Sequence, residues 1–116
     1  MQEAIYADNA ATTRIAPQVL DAMLPYLKEE YGNPSTLYKL GREAKIAIEK
    51  AREQVAQVIG AKAEEIFFTG SGTEADNMAL KGVLYGPAGK GKKHLITTKI
   101  EHHAILHTAM ALEKEG

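Results

Sequence analysis

The chain reads as an α/β protein: an N-terminal arm and helices that lead into a parallel-type sheet with flanking helices. Three observations predict this. Two helical patterns of apolar residues occupy the first half. After Ala63 the pattern changes to strand, glycine turn, helix, strand and helix. A strand–helix–strand succession implies a right-handed crossover and parallel pairing.

Residues 1–15 form an arm that contains the small polar run Asp8-Asn9-Ala10-Ala11-Thr12-Thr13. From residue 16 the first part of a larger domain is expected. Val19, Leu20, Met23, Leu24 and Leu27 recur at helical spacing between Ala16 and Tyr31. Pro17 suits a first turn, whereas Pro25 is expected to bend or divide the helix. Gly32-Asn33-Pro34-Ser35 is a turn, with Ser35 as the expected cap of the following helix.

That helix is predicted from about Leu40 to Ile59, closing at Gly60. Its inward stripe would be Ala44, Ile48, Ala51, Val55 and Val58 or Ile59. Arg42, Glu43, Lys45, Glu49, Lys50, Arg52, Glu53 and Gln57 stand on the opposite face. Glu65–Thr69 is the first predicted strand, broken by Gly70-Ser71-Gly72. A helix from Thr73 to Tyr85 would bury Ala75, Met78, Ala79 and Val83. His94–Thr98 is the second strand, and Glu101–Glu115 the last helix.

Two strands do not make a stable parallel sheet, which is normally covered by helices on both faces. A third strand is therefore expected beyond Gly116, and the chain is expected to be a fragment or one half of a split protein.

Composition narrows the class. Of the 116 residues, 45% are hydrophobic and 25% charged, the balance of a soluble globular protein. The formal net charge of −1 gives no footprint for nucleic acid or an anionic membrane. With no cysteine, this stretch can hold no disulfide, no cysteine zinc site and no cysteine nucleophile. It has no apolar run of membrane-spanning length, and Met1–Asp8 lacks the regions of a signal peptide, so a cytoplasmic location is expected.

The chemistry concentrates in two places. In Phe67-Phe68-Thr69-Gly70-Ser71-Gly72-Thr73-Glu74 a strand enters a glycine turn and then a helix. Backbone N–H groups and the positive end of a helix converge there, and a phosphate suits both. Glycine allows close approach, and the Thr73 hydroxyl adds a donor. The alternative is a tight turn in which Thr73 only caps its own helix. Neither a P-loop nor a Gly-x-Gly-x-x-Gly dinucleotide motif is present, since no Gly-Lys-Ser/Thr follows and position 75 is alanine.

The second place is Ile100-Glu101-His102-His103-Ala104-Ile105-Leu106-His107. In open parallel sheets the carboxyl ends of the strands share one crevice. The turns after Thr69 and Thr98 should thus face one ligand, where an imidazole can stack or move protons. His103 and His107 share a helix face, but His-Glu-x-x-His is absent and no third ligand presents itself, so no metal site is assigned. The alternative for these two is exposure on the helix surface.

Taken together, the Asp8–Thr13 arm, the Gly32–Ser35 turn, Ala51-Arg52, the run Phe68–Asn77 and Glu101–Leu106 resemble, in order and spacing, successive motifs of the cysteine desulfurases. These belong to the class V branch of fold-type-I pyridoxal 5′-phosphate (PLP) enzymes. The resemblance spans essentially the whole chain. It implies PLP as cofactor, with Gly72 and Thr73 on its phosphate. It further implies that His102 stacks over the pyridine ring and assists proton transfer, and that Asn9 lies near the substrate pocket.

It implies an enzyme that converts L-cysteine to L-alanine and leaves sulfur as an enzyme persulfide for iron–sulfur cluster assembly or other sulfur transfer. A homodimer and a sulfur-acceptor or iron–sulfur scaffold protein would be its partners. The lysine that carries the cofactor, the aspartate at the pyridine nitrogen and the sulfur-accepting cysteine come later in that pattern. None of Lys81, Lys90, Lys92, Lys93 or Lys99 has the context of that lysine, so these residues alone are expected to be inactive.

Two departures stand out. Tyr38 occupies a position where histidine is common, and Gly70-Ser71 replaces the more frequent Ser-Gly, which would strain Ser71 if φ were positive there. The alternatives are another class V PLP enzyme, such as a selenocysteine lyase or an aminotransferase, and a non-catalytic interaction module.

Overall fold

The structure, a computed structural model, describes residues 5–116. Four α-helices form: α1 Pro17–Lys28, α2 Lys39–Ile59, α3 Gly72–Tyr85 and α4 His103–Glu115. Short 3-10 turns lie at Ala63–Glu65 and Pro87–Gly89. The chain divides into two compact units, Met1–Ile66 and Phe67–Gly116.

Among the described residues no strand is formed, so only the helical half of the predicted α/β class is realised here. Glu65 closes a 3-10 turn instead of opening a strand, and residues 66–69 and 94–98 carry no regular structure. The cause is physical. A strand is held by a neighbour's N–H and C=O groups, and neither segment has such a ladder within the described residues.

In the first unit, Pro17 opens α1 as expected. Pro25 does not divide the helix: it removes one N–H, but its carbonyl accepts from Glu29 and Glu30 N–H, both at 2.9 Å, as α1 closes after Lys28. The Asn33 side chain accepts from Ser35 N–H at 2.9 Å, and the Thr36 hydroxyl donates to Asn33 O at 2.8 Å. Ser35 therefore belongs to the turn; Tyr38 is the N-cap of α2 and offers no side-chain cap. Gly41 fits here because a Cβ would overlap Thr36 Oγ1 and Asn33 O.

At the other end of α2, Gly60 takes φ +68°, and Ala61 N–H reaches Ala56 O at 2.9 Å, a Schellman closure. The buried line of α2 is built from small residues: Gly41, Ala44 and Ala56 are buried and Ala47 and Ala51 half-buried. Val58 and Ile59, one of them expected inward, are both exposed, at 85% and 66%. Arg52, expected on the solvent face, is drawn in: it pairs with Glu49 at 3.3 Å and its Nη1 donates to Ile66 O. The Ala63–Glu65 turn lies against α2.

In the second unit, α3 and α4 pack on each other. The less exposed positions of α3 are Asp76, Asn77, Leu80, Lys81 and Leu84, not the predicted Ala75, Met78, Ala79 and Val83. Those of α4 are Ala104, Ile105, Thr108, Ala109 and Leu112 along one face, with Leu106 beside it. Each set follows the spacing of one helix face and runs nearly the full helix length. Ala104 and Thr108 are buried, and the Thr108 hydroxyl donates to Ala104 O at 2.7 Å, so no polar atom is stranded at the contact. The Pro87–Gly89 turn closes against α3, where a Cβ on Gly89 would overlap the carbonyls of Val83 and Leu84.

Candidate functional site

The turn before α3 is held by its own side chains. Ser71 is the N-cap, with φ −164° and its hydroxyl accepting from Glu74 N–H at 3.2 Å. Thr73, the alternative cap, is inside the helix, and no hydrogen bond among the described residues engages its hydroxyl. The Glu74 carboxylate reaches back to Gly70 N–H at 2.7 Å, and the Thr69 hydroxyl donates to Ser71 O at 3.1 Å. Ser71 lies in extended backbone, so the Gly70-Ser71 order brings no strain.

Gly72 and Thr73 occupy the first turn of α3, where a backbone N–H has no intrahelical acceptor. A Cβ built on Gly72 would meet nothing within 4 Å, so the outer side of this turn is open. Between Phe67 and Leu80 there are two acidic residues, Glu74 and Asp76, and no basic one. The donors left on this turn are neutral: two amides, one hydroxyl and the partial positive charge of the helix end. Such a set binds an anion through hydrogen bonds and the helix dipole rather than through an ion pair.

His102 is the N-cap of α4, and its Nδ1 accepts from Ala104 N–H at 3.2 Å. That bond fixes the tautomer: a neutral ring that accepts at Nδ1 carries its proton on Nε2. The preceding turn is tied by the Thr98 hydroxyl, which donates to the Glu101 carboxylate at 2.9 Å. His103 and His107 stack on the exposed face of α4, rings parallel within 8° and centroids 4.9 Å apart. Among the described residues no group of three His, Asp or Glu side chains could hold a metal ion.

Gly72 and Thr73 lie in the first turn of α3, and His102 is the N-cap of α4. The contact faces of α3 and α4 extend along both helices, and Tyr85 and Glu115, their last residues, are hydrogen-bonded at 2.5 Å. Helices of 14 and 13 residues that share one end in this way run in the same direction. Their N-termini therefore lie at one end of the unit. A cleft of about 600 Å³ lies at the opposite end, between Leu84, Leu95, Leu106, Met110 and Leu112.

Asn9 belongs to the first unit. It sits in an exposed turn tied by Asp8, whose carboxylate accepts from Ala11 N–H at 3.3 Å, and its own carbonyl accepts from the Thr13 hydroxyl at 3.3 Å. The sequence reading missed Ser71 and Glu74. Their spacing, a hydroxyl residue followed three positions later by glutamate, is a helix-start signature that could have revealed them.

The aminotransferase class-V family matches residues 5–116. The cysteine desulfurases IscS of Dictyoglomus turgidum and Clostridium botulinum are 53% and 54% identical to the chain over 116 residues. Each match covers the whole of this chain and 29% of the relative, so the chain spans about three-tenths of the length of these curated relatives. A solved NifS-like protein superposes with a TM-score of 0.85 at 46% identity, over 94% of this chain and 30% of that one. SspA, solved in complex with cysteine, gives 0.84 at 40% identity, over 96% of this chain and 32% of that one. With a match over nearly all of its length, the chain belongs to the aminotransferase class-V family.

Proposed function

We propose that these residues are the N-terminal part of a PLP-dependent cysteine desulfurase, which takes L-cysteine to L-alanine and leaves the sulfur on an enzyme thiol. The balance needs no oxidant: the C–S bond of cysteine breaks, an S–S bond forms on the thiol, and alanine gains the hydrogen. The observation that carries the reading is the turn at Gly72 and Thr73, whose free amides and hydroxyl form an all-donor set on an open surface. Likeness to cysteine desulfurases over the whole chain, and to a protein solved with cysteine, supports the substrate.

In this reading Gly72 and Thr73 N–H and the Thr73 hydroxyl hold the cofactor's phosphate. PLP, when bound, supplies the electron sink for the chemistry at the substrate carbon. His102 would stack on the cofactor ring, and it has Nε2–H free for proton transfer because Nδ1 is engaged by Ala104 N–H. Donation of a proton is thus the task its hydrogen bond prepares it for. Asn9 contributes from the arm to the substrate pocket. The segments 66–69 and 94–98 would become strands of the parallel sheet in the complete enzyme, a homodimer that passes sulfur to an acceptor or an iron–sulfur scaffold protein. Among the described residues no helix is long and apolar enough to cross a membrane.

The test is to supply the complete PLP-loaded enzyme with L-cysteine and to measure alanine and sulfide together. Equimolar alanine and sulfide in the presence of a reducing thiol are expected. Turnover of L-selenocysteine with none of L-cysteine, or transamination without sulfide, would overturn it.

A further inference from the structure

We propose that Glu74 is the positioning residue of the phosphate-binding turn, its carboxylate selecting which backbone amides are offered to the phosphate. The inference rests on the reading that this turn holds the phosphate of PLP, and extends it to a residue that does not itself touch the ligand.

A bare glycine turn followed by a helix would present Gly70, Ser71, Gly72, Thr73 and Glu74 N–H groups without preference. Here two of the five are taken. Gly70 N–H is held by the Glu74 carboxylate at 2.7 Å, and Glu74 N–H by the Ser71 hydroxyl at 3.2 Å. Glu74 is thus both acceptor and donor in the same turn, and its two bonds fold residues 70–74 back on themselves. The Thr69 hydroxyl on Ser71 O, at 3.1 Å, braces the same backbone from the preceding segment. Ser71, Gly72 and Thr73 N–H are left outside this closed set, the last two on the first turn of α3. Glycine at 70 suits the arrangement, since a Cβ there would stand 3.3 Å from the carboxylate oxygen and push it away.

Charge argues that geometry is the reason for this residue. A carboxylate beside a bound phosphate is electrostatically unfavourable, and no basic residue between Phe67 and Leu80 offsets it. Glutamate is useful at this position if the shape it imposes outweighs the repulsion it causes. Glutamine separates the two effects, because its amide oxygen can accept from Gly70 N–H without a charge.

The test compares PLP with pyridoxal, which lacks the phosphate, by equilibrium dialysis against the complete apoenzyme. A variant that merely destabilises the fold weakens both ligands alike. A variant that misplaces the cradle weakens PLP alone. We expect Glu74→Ala to reduce the preference for PLP over pyridoxal by about tenfold or more, the scale of a lost hydrogen bond to a charged group. Glu74→Gln should keep that preference or raise it. Thr73→Val, which removes a direct donor, serves as the reference. Should Glu74→Ala not accumulate as folded protein, Glu74→Asp, with its carboxylate drawn back by one methylene, takes its place.

Retention of the preference in the alanine or aspartate variant, with loss in Thr73→Val, would overturn the role of Glu74 and leave the phosphate reading standing. Loss in Glu74→Gln equal to that in Glu74→Ala would equally refute positioning by geometry. A preference unchanged in Thr73→Val and in every Glu74 variant would mean that the phosphate is bound elsewhere, and both readings would fall.

Discussion

The Tyr85 hydroxyl donates a 2.5 Å hydrogen bond to the Glu115 carboxylate and so ties the last residue of α3 to the last residue of α4. Both helices are of nearly equal length and pack along their faces, so their first residues lie toward one end as well.

The same bond should leave a signature at high pH. Hydrogen bonding to Glu115, then desolvation, then the negative charge of Glu115 raise the Tyr85 pKa above its ordinary value of 10.0. The folded state then holds the phenolic proton more tightly than the unfolded state does. The contribution is fully present below pH 10 and is lost as pH rises through the folded pKa. Tyr85→Phe should therefore flatten the fall in stability above pH 10, read as the difference in urea midpoint between wild type and variant across that range. Parallel pH profiles would show that the bond does not persist in solution.

Gly72→Ala offers a way to separate fold from ligand. Gly72 has no positive φ, and a Cβ there meets nothing within 4 Å, so the chain itself does not require glycine. Replacing a helical glycine by alanine stabilises by up to about 1 kcal/mol. We expect an unchanged or slightly raised melting temperature of the apoprotein together with weaker PLP binding, because the added methyl stands where a phosphate would approach. Undiminished PLP affinity in this variant would argue against close approach at that turn.

How much of this was legible in the sequence depends on whether the cause was local. The helix starts and stops at Pro17, Gly60 and Tyr85 were readable because proline geometry, left-handed glycine and periodicity act within a turn. The two strands were not realised, since a strand is completed by residues distant in sequence, and none pairs with 66–69 or 94–98 within the described residues. Buried faces were misjudged for the same reason. Of the stripe predicted for α2, Ala44 is buried and Ala51 half-buried, but Ile48, Val55 and both Val58 and Ile59 are exposed, because the contact α2 makes runs through glycine and alanines. Ser71, not Thr73, caps α3, because the cap is chosen by which hydroxyl reaches Glu74 N–H.

Arg52 is the residue whose placement the polar pattern most misstated. Its side chain is 22% exposed, it pairs with Glu49 at 3.3 Å, and it donates to Ile66 O where the chain leaves the Ala63–Glu65 turn. Arg52→Lys keeps the charge but loses the planar fork that serves both acceptors. It should cost about 1.5–3 kcal/mol by denaturant midpoint, the range for a hydrogen bond to a charged group. Glu49→Gln, which removes only the half-exposed ion-pair partner, should cost less than about 1 kcal/mol. Equal costs for the two would mean that the ion pair, and not the Ile66 carbonyl, is what Arg52 contributes.

His102 has two separable tasks, and two substitutions divide them. As N-cap of α4 its Nδ1 satisfies Ala104 N–H at 3.2 Å, while Nε2 is left for proton transfer. Alanine removes both tasks. Asparagine is among the best N-cap residues and can accept from the same N–H, but it cannot move a proton at neutral pH. His102→Ala should lower apoprotein stability by about 1 kcal/mol, and His102→Asn by only a fraction of that. If the ring transfers protons in catalysis, both variants should lose turnover of L-cysteine by about 10²–10⁴-fold, regardless of their difference in stability. Turnover that followed stability instead, with asparagine restoring activity as well as the fold, would reduce His102 to a capping residue and leave the proton to another group.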